Sequence, residues 1–293
     1  MNFNLFFQTV LSGLISGAIY GVLGMGFVVT YKATRVLNLA HGGMAMFLAF
    51  VTLACLHQHW NYGLALAVTA VAAIAMGIAI DLSIMRPLRN RPPLDSAVAS
   101  LGLLLTLQGL AVIIFGAQEK VFPAAVPLRF IKVAGFNFSY PQLLAFACVA
   151  VSAAVVGAVF RWTRAGLAIR AYVENPDSAR GLGVSPMYVS TIAWSLAALL
   201  AAVAGVMLAP LTLLDSLRMP LFSVKALVAA LLGGLTSLSG ALLGGLLLGV
   251  TEAYFQGYVH FRDSVNYLPF GLVVLALLYQ GFRGTSRTAT RAA

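Results

Sequence analysis

The sequence predicts an all-α, polytopic membrane protein, and three observations carry that reading. Apolar residues make up 61% of the 293 and charged residues only 9%, whereas a soluble domain carries about 25% charged residues. The apolar residues fall into successive runs of roughly 20 residues, the length a helix needs to cross a bilayer. The formal charge of +10, from 18 Lys and Arg against 8 Asp and Glu, sits mainly in the short segments between those runs. In a soluble protein that excess would point to nucleic acid; cations confined to loops are a topology signal instead, and no nucleic-acid partner is expected. The prediction is about eight transmembrane helices plus a broken or re-entrant segment near 222–256, in a single transmembrane domain covering 1–293.

The first span covers residues 6–30, and no cleavable signal peptide precedes it, because residues 1–7 lack a basic n-region. Gly13, Gly17 and Gly21 recur on one face at the small-xxx-small spacing that lets helix backbones approach. Lys32 and Arg35 end the span. A second, 36–56, opens with Asn38, His41 and Gly42, whose i, i+3, i+4 spacing puts them on one helical face. His57, Gln58, His59 and Trp60 make a short loop with an interfacial aromatic; two His at i, i+2 without a third ligand are weak evidence for metal, and none is predicted. The third span, 64–85, carries Asp81 near its end, and the prolines of Arg86-Pro-Leu-Arg89-Asn-Arg91-Pro-Pro stop the helix.

Span four covers 96–115, and 116–139 is the longest loop, with Pro123, Pro127 and mixed charges. Span five covers 140–160, and span six, 187–208, starts at Pro186. The stretch 222–256 is too long for one crossing and too short for two comfortable ones. Its middle, Gly233-Gly234-Leu-Thr236-Ser237-Leu-Ser239-Gly240, reads as a turn between two shortened pieces, a break tolerated at membrane depth only inside protein or beside a cavity. Gly240, Gly244, Gly245 and Gly249 then allow tight packing of the second piece. A last span covers 264–280, followed by a tail with Arg283, Arg287 and Arg291. Cys55 and Cys148 lie in apolar runs and read as free, buried thiols.

Between spans five and six lies a polar segment, 164–184, too short and too charged to cross. Asn175-Pro176-Asp177 is a helix start: an Asn cap, Pro at the first helical position, and an acid at the positive end of the dipole. Gly181 and Gly183 can close that short helix, and a first helix over 166–174 precedes it. On its own the segment reads either as a docking element or as an ordinary Arg-rich inside loop. With it inside, 12 of the 18 cations lie inside and 6 lie outside or within spans, the expected positive-inside bias. The N-terminus is then outside, the C-terminus cytoplasmic, and 222–256 enters and leaves on one side.

Three separated motifs carry a resemblance. Gly17-Ala-Ile-Tyr20-Gly21 through Gly24-Met-Gly26, running into Asn38-Leu-Ala-His41-Gly42, is similar to the opening of the LivH-type permeases of branched-chain amino-acid ABC importers, with Leu39 where Phe is usual. Lys225-Ala226 through Gly233-Gly234, Ser237, Gly240-Ala241, Gly244-Gly245 and Glu252 resembles that family's late glycine-rich signature, with Thr236 where Gly is usual. The 164–184 segment resembles its cytoplasmic coupling loop. The likeness runs over nearly the whole chain in order and spacing.

The resemblance implies a multi-pass protein of the bacterial inner membrane that docks two ABC ATPase subunits. The docking residues would be Arg164, Gly166, Arg170, Ala171, Glu174, Asn175, Asp177, Ala179 and Gly183. It also implies a second permease subunit of LivM type, an extracytoplasmic substrate-binding protein and surrounding lipid. Asn38, His41, Gly42, Thr236, Ser237, Ser239 and Glu252 are candidates for the translocation path. Asn38 and His41 equally fit a role in satisfying one another or nearby carbonyls. Glu252 equally fits a hydrogen-bonded packing residue, and Lys225 a cation snorkelling to the interface. That path offers no fixed charge pair, which favours a zwitterion with an apolar side chain over polyphosphates or multivalent cations.

No cofactor, metal or catalytic residue is predicted. The chain lacks a Gly-rich loop followed by Lys-Ser/Thr, so ATP hydrolysis belongs to partner subunits. An intramembrane enzyme would need a nucleophile–base pair or paired metal ligands. An ion-coupled secondary transporter would hold charged pairs near the midplane, whereas Asp81, Lys225 and Glu252 fall near predicted helix ends. Permeation of amides, urea or other amino acids by a permease of the same type is the nearer alternative.

Overall fold

The computed structural model describes residues 3–126, 129–133, 136–258 and 271. The predicted span at 264–280 and the basic tail lie outside those residues, apart from Gly271. The chain opens on α1 (Phe3–Thr34), longer at both ends than its predicted span, so Lys32 sits inside its last turn. Arg35 ends it with a left-handed backbone, φ 59°. α2 (His41–His57) begins five residues later than expected, so Asn38 lies in a non-helical entry and shares no helix face with His41. The Ser100 hydroxyl accepts the Leu39 N–H at 3.1 Å and helps hold that entry open.

α3 (Tyr62–Ile80) is capped by Asn61, whose side-chain oxygen accepts the Leu64 N–H at 2.7 Å, a standard Asx cap. It runs through a π-helical turn (Asp81–Met85) into the short α4 (Arg86–Leu88). α5 (Pro93–Phe115) starts on a proline at its first helical position. The long loop predicted over 116–139 contains an antiparallel hairpin, β1 (Phe130–Val133) and β2 (Phe136–Ser139), with Phe130 opposite Ser139. The period-two pattern Phe-Asn-Phe-Ser was its signal in the sequence. α6 (Tyr140–Trp162), α7 (Arg164–Glu174), α8 (Pro176–Gly181) and α9 (Pro186–Leu208) follow. A 3₁₀ turn (Met219–Leu221) leads into α10 (Phe222–Leu232), and α11 (Leu238–Tyr258) closes the described chain.

Among the described residues six helical stretches are long and apolar enough to cross a membrane, and α2 and the 219–232 stretch are shorter apolar helices. The protein is therefore an all-α, multi-pass membrane protein with one small hairpin. α1 is the axis of the bundle: 89% of its membrane-length window is buried, against 17% for α5. Apolarity alone does not decide which helix is central, because in a bilayer an apolar face can meet lipid as well as protein.

Glycines set how closely the helices approach. A Cβ at Gly13 would lie 2.7 Å from the Gly249 carbonyl oxygen, and one at Gly17 2.8 Å from the Leu246 Cα, so α1 and α11 touch backbone to backbone. In lipid, where apolar burial drives nothing, such close packing is what holds helices together. The predicted spacing of Gly13, Gly17 and Gly21 therefore has its partner in Gly245 and Gly249. The Thr52 and Thr69 hydroxyls share a hydrogen bond of 2.8 Å between α2 and α3.

The 222–256 stretch divides as predicted at its Gly/Ser turn. α10, with 11 residues, is about 16 Å long, roughly half the hydrocarbon thickness. α11, with 21 residues, is longer than the shortened piece expected. The two run antiparallel: Gly240 packs on Gly233, and Gly244 on Ala229. Gly234 takes φ 85° and Leu235 φ 55°, so the left-handed positions are 234 and 235. Thr236, where the sequence departs from the family pattern, has no such demand placed on it.

Candidate functional site

At one end of the bundle α7 and α8 form the predicted helix–turn–helix. Thr163 caps α7, its hydroxyl accepting the Gly166 N–H at 3.1 Å. Gly166 is buried where α7 turns away from α6; a Cβ there would lie 2.5 Å from the Phe160 Cα. Asn175 Oδ1 accepts the N–H groups of Asp177 at 3.1 Å and Ser178 at 3.0 Å, capping α8. Gly183, φ 84°, provides the left-handed residue after α8, whereas Gly181 stays helical. Of the two glycines proposed to close α8, only Gly183 does so by backbone conformation.

Ile169 and Ala179 anchor the two helices in the core, and Ala171 is half-buried. Arg164, Arg170, Glu174, Asn175 and Asp177 are exposed around the turn. Trp162, Leu167 and Leu182 are exposed apolar neighbours, Leu182 at 84%. The result is a rigidly capped projection with a mixed polar and apolar outer surface, as a docking element requires.

Asn38 and His41 are fully buried. The Asn38 amide donates to Met44 Sδ at 3.4 Å and Asn38 Oδ1 has no hydrogen-bond partner among the described residues, while the His41 ring meets the Leu23 backbone carbonyl. The His41 ring lies 4.9 Å from that of Phe27 and against Gly26, whose missing side chain makes room for it. Neither side chain satisfies the other. Gly42 lets α2 approach α10: a Cβ there would lie 2.6 Å from the Ser223 side chain.

Thr236 and Ser237 lie in the α10–α11 turn and Ser239 in the first turn of α11, away from Asn38 and His41. The Ser237 and Ser239 hydroxyls are 3.2 Å apart, Ser237 accepts the Gly240 N–H, and Thr236 donates to the Gly234 carbonyl. These hydroxyls cap a turn, and the structure does not gather all the predicted path residues into one site.

Glu252 is buried on α11 and ion-paired with Lys225 of α10. The Lys225 ammonium also lies 5.5 Å from the Tyr20 ring centroid and 5.4 Å from that of Phe222. This corrects two expectations. Lys225 does not snorkel alone, and the protein does hold a fixed charge pair, with Glu252 buried and Lys225 partly exposed. The sequence signal was present as one cation and one acid in facing pieces of a helical hairpin.

Asp81, not among the predicted site residues, organises the α7–α8 end. It is 1% exposed and accepts hydrogen bonds from Ser190, and from Thr191 at 2.5 Å; Arg86 lies 3.7 Å away. Arg89 donates to the Pro186 carbonyl at 2.6 Å. The π-helical turn that starts at Asp81 thus ties α3 and α4 to the first turn of α9. Such bulges re-aim side chains at the cost of regular helix bonding.

The family described as "Branched-chain amino acid transport system / permease component" matches residues 9–278. Similar proteins include the high-affinity branched-chain amino acid transport system permease protein BraD of Pseudomonas aeruginosa, 30% identical and covering 94% of both chains. LivH of Salmonella typhimurium, a protein of the same description, is 28% identical over 93% of each chain. The probable branched-chain amino acid transport permease protein LivH of Methanocaldococcus jannaschii is 27% identical over 88% of this chain and 83% of that one. With the family pattern matched from the first span to beyond α11, the chain belongs to the permease components of branched-chain amino acid transport systems.

Proposed function

We propose that this chain is the membrane-spanning permease subunit of an ATP-driven importer for branched-chain amino acids. The family match over 9–278 is the single observation that carries the reading. In this reading the chain sits in the inner membrane with its N-terminus outside and its C-terminus in the cytoplasm. A binding protein delivers substrate to the outer loops, and a second permease subunit of LivM type completes the path. Two ATPase subunits engage the capped projection formed by α7 and α8. The exposure of Glu174, Asn175 and Asp177 at its turn supports that role. The chain itself hydrolyses nothing in this scheme.

Mechanically, α7–α8 is suited to pass on force because it is tied to the core at Gly166, Ile169 and Ala179. Movement at Asn175 would reach α6 through the Gly166 contact, and α9 through the short 182–185 link. Asn38 Oδ1, buried without a hydrogen-bond partner among the described residues, is an acceptor that a passing zwitterion could satisfy when the bundle opens. The Lys225–Glu252 pair is a feature shared with ion-coupled carriers, so that reading stays the competitor. Co-purification tests the proposal: a tagged chain from native membranes should bring an ATPase with it in stoichiometric amount. Recovery as a self-sufficient permease that transports without any ATPase would overturn it.

A further inference from the structure

We propose that the cavity at the α7–α8 end of the bundle is a binding site for a phosphate group, carried by an anionic phospholipid headgroup or by free phosphate. The cavity, about 560 Å³, is enclosed by the end of α1, α4 and the turn after it, α7–α8 and the start of α9. Among the described residues, Lys32, Arg35, Arg86, Arg89, Arg91 and Arg180 line it, against two carboxylates, Asp81 and Glu174. Asp81 is already engaged by Ser190, Thr191 and Arg86.

The remaining cations are poorly neutralised by the protein. Lys32 and Arg35 face the rings of Phe160 and Tyr31, not acids. Arg180 pairs, among the described residues, with Asp177, a side chain 93% exposed. Arg86 Nε is buried with no hydrogen-bond partner among the described residues. A topology signal alone needs cations that point into water; it does not need six to converge on one space or a guanidinium N–H left buried and unmet.

Converging like charges repel, and an anion at their centre reverses the sign of that interaction. Guanidinium groups match phosphate oxygens with forked, charge-assisted hydrogen bonds. A neutral zwitterion would leave the excess charge uncompensated. The cavity also lies where the helices end, the level at which basic pockets between membrane helices take phospholipid headgroups. Because α8 forms one wall and α1 and α4 another, a bound phosphate would brace the projection against the core. The inference does not depend on which solute the permease carries.

The test uses the chain purified with its partner subunits in phosphatidylcholine nanodiscs, with and without phosphatidylglycerol. Retained lipid is read by native mass spectrometry. In the discs lacking phosphatidylglycerol, thermal stability is followed against added inorganic phosphate. Lys32→Gln/Arg91→Gln should lower retention or the phosphate response at least about fivefold, the loss expected from removing charge-assisted contacts. Lys120→Gln/Arg129→Gln, with the same charge change at the opposite end, should match the wild type. Arg91→Gln alone, on an exposed turn, provides the same comparison if the double variant folds poorly. Lipid retention without a phosphate response assigns the headgroup as source, and the reverse assigns free phosphate. Failure of the wild type to bind either probe, or equal binding by the cavity variants, overturns the site.

Discussion

Lys225 on α10 and Glu252 on α11 form an ion pair inside the bundle, with the ammonium beside the stacked rings of Tyr20 and Phe222. Breaking such a pair from one side leaves a buried charge without compensation, at a cost of about 3–5 kcal/mol, while replacing both members with apolar residues is often neutral. Lys225→Met should therefore destabilise the purified protein by that amount, and Lys225→Met/Glu252→Met should recover most of it. Thermal unfolding in detergent measures both. A double variant no better than the single one would mean that the pair does not account for the loss.

The close approach of α1 and α11 yields a sharper contrast. Gly17→Val and Gly249→Val would drive side chains into facing backbone, whereas Gly109 and Gly157 have nothing within 4 Å of a Cβ. The first two should cost about 1–3 kcal/mol or more and lower the yield of folded protein. Gly109→Ala and Gly157→Ala should leave the isolated chain's stability unchanged. Size-exclusion profiles and melting curves of the four proteins decide the matter.

What the sequence made legible was what periodicity and turn chemistry control. The glycine face of α1, the Asn175 cap and the turn after Leu232 all follow from local rules, and all three stand in the structure. What it hid depended on partners distant in the chain. Asp81 finds Ser190 and Thr191 more than a hundred residues away, and no spacing rule joins them. Asn38 was assigned to a helix because its apolar surroundings continue unbroken. Ser100 holds that entry outside the helix, and Ser100 lies in another span. The hairpin at 130–139 is faint in the sequence because each strand has only four residues, too short for alternation to stand out in a loop carrying Pro123 and Pro127.

Breaking the start of α8 should impair coupling without preventing membrane insertion. Asn175→Ala removes the acceptor for two N–H groups, worth about 1 kcal/mol at a cap. Asp177→Lys places a cation at the positive end of the helix dipole, and Glu174→Lys inverts an exposed charge beside it. All three proteins should reach the membrane in normal amount while solute-stimulated ATPase activity of the assembled importer falls. Wild-type activity in all three would remove the docking role of 164–184.

Orientation is open to a direct chemical check. On a background lacking Cys55 and Cys148, a cysteine in place of Ser178 should react with membrane-impermeant maleimide only from the cytoplasmic side. One in place of Ala124 should react only from outside; both positions are exposed. Labelling in the opposite sense would invert the proposed topology.

Energy source and cargo together test the central claim most directly. The chain, its partner permease, the ATPase subunits and the binding protein are reconstituted into liposomes with ATP on the ATPase side, and uptake of labelled leucine is followed. The account predicts uptake that requires ATP and the binding protein, is competed by isoleucine and valine, and is indifferent to imposed proton or sodium gradients. Uptake driven by such a gradient in the absence of ATP would contradict it, and would assign the Lys225–Glu252 pair to an ion-coupled carrier.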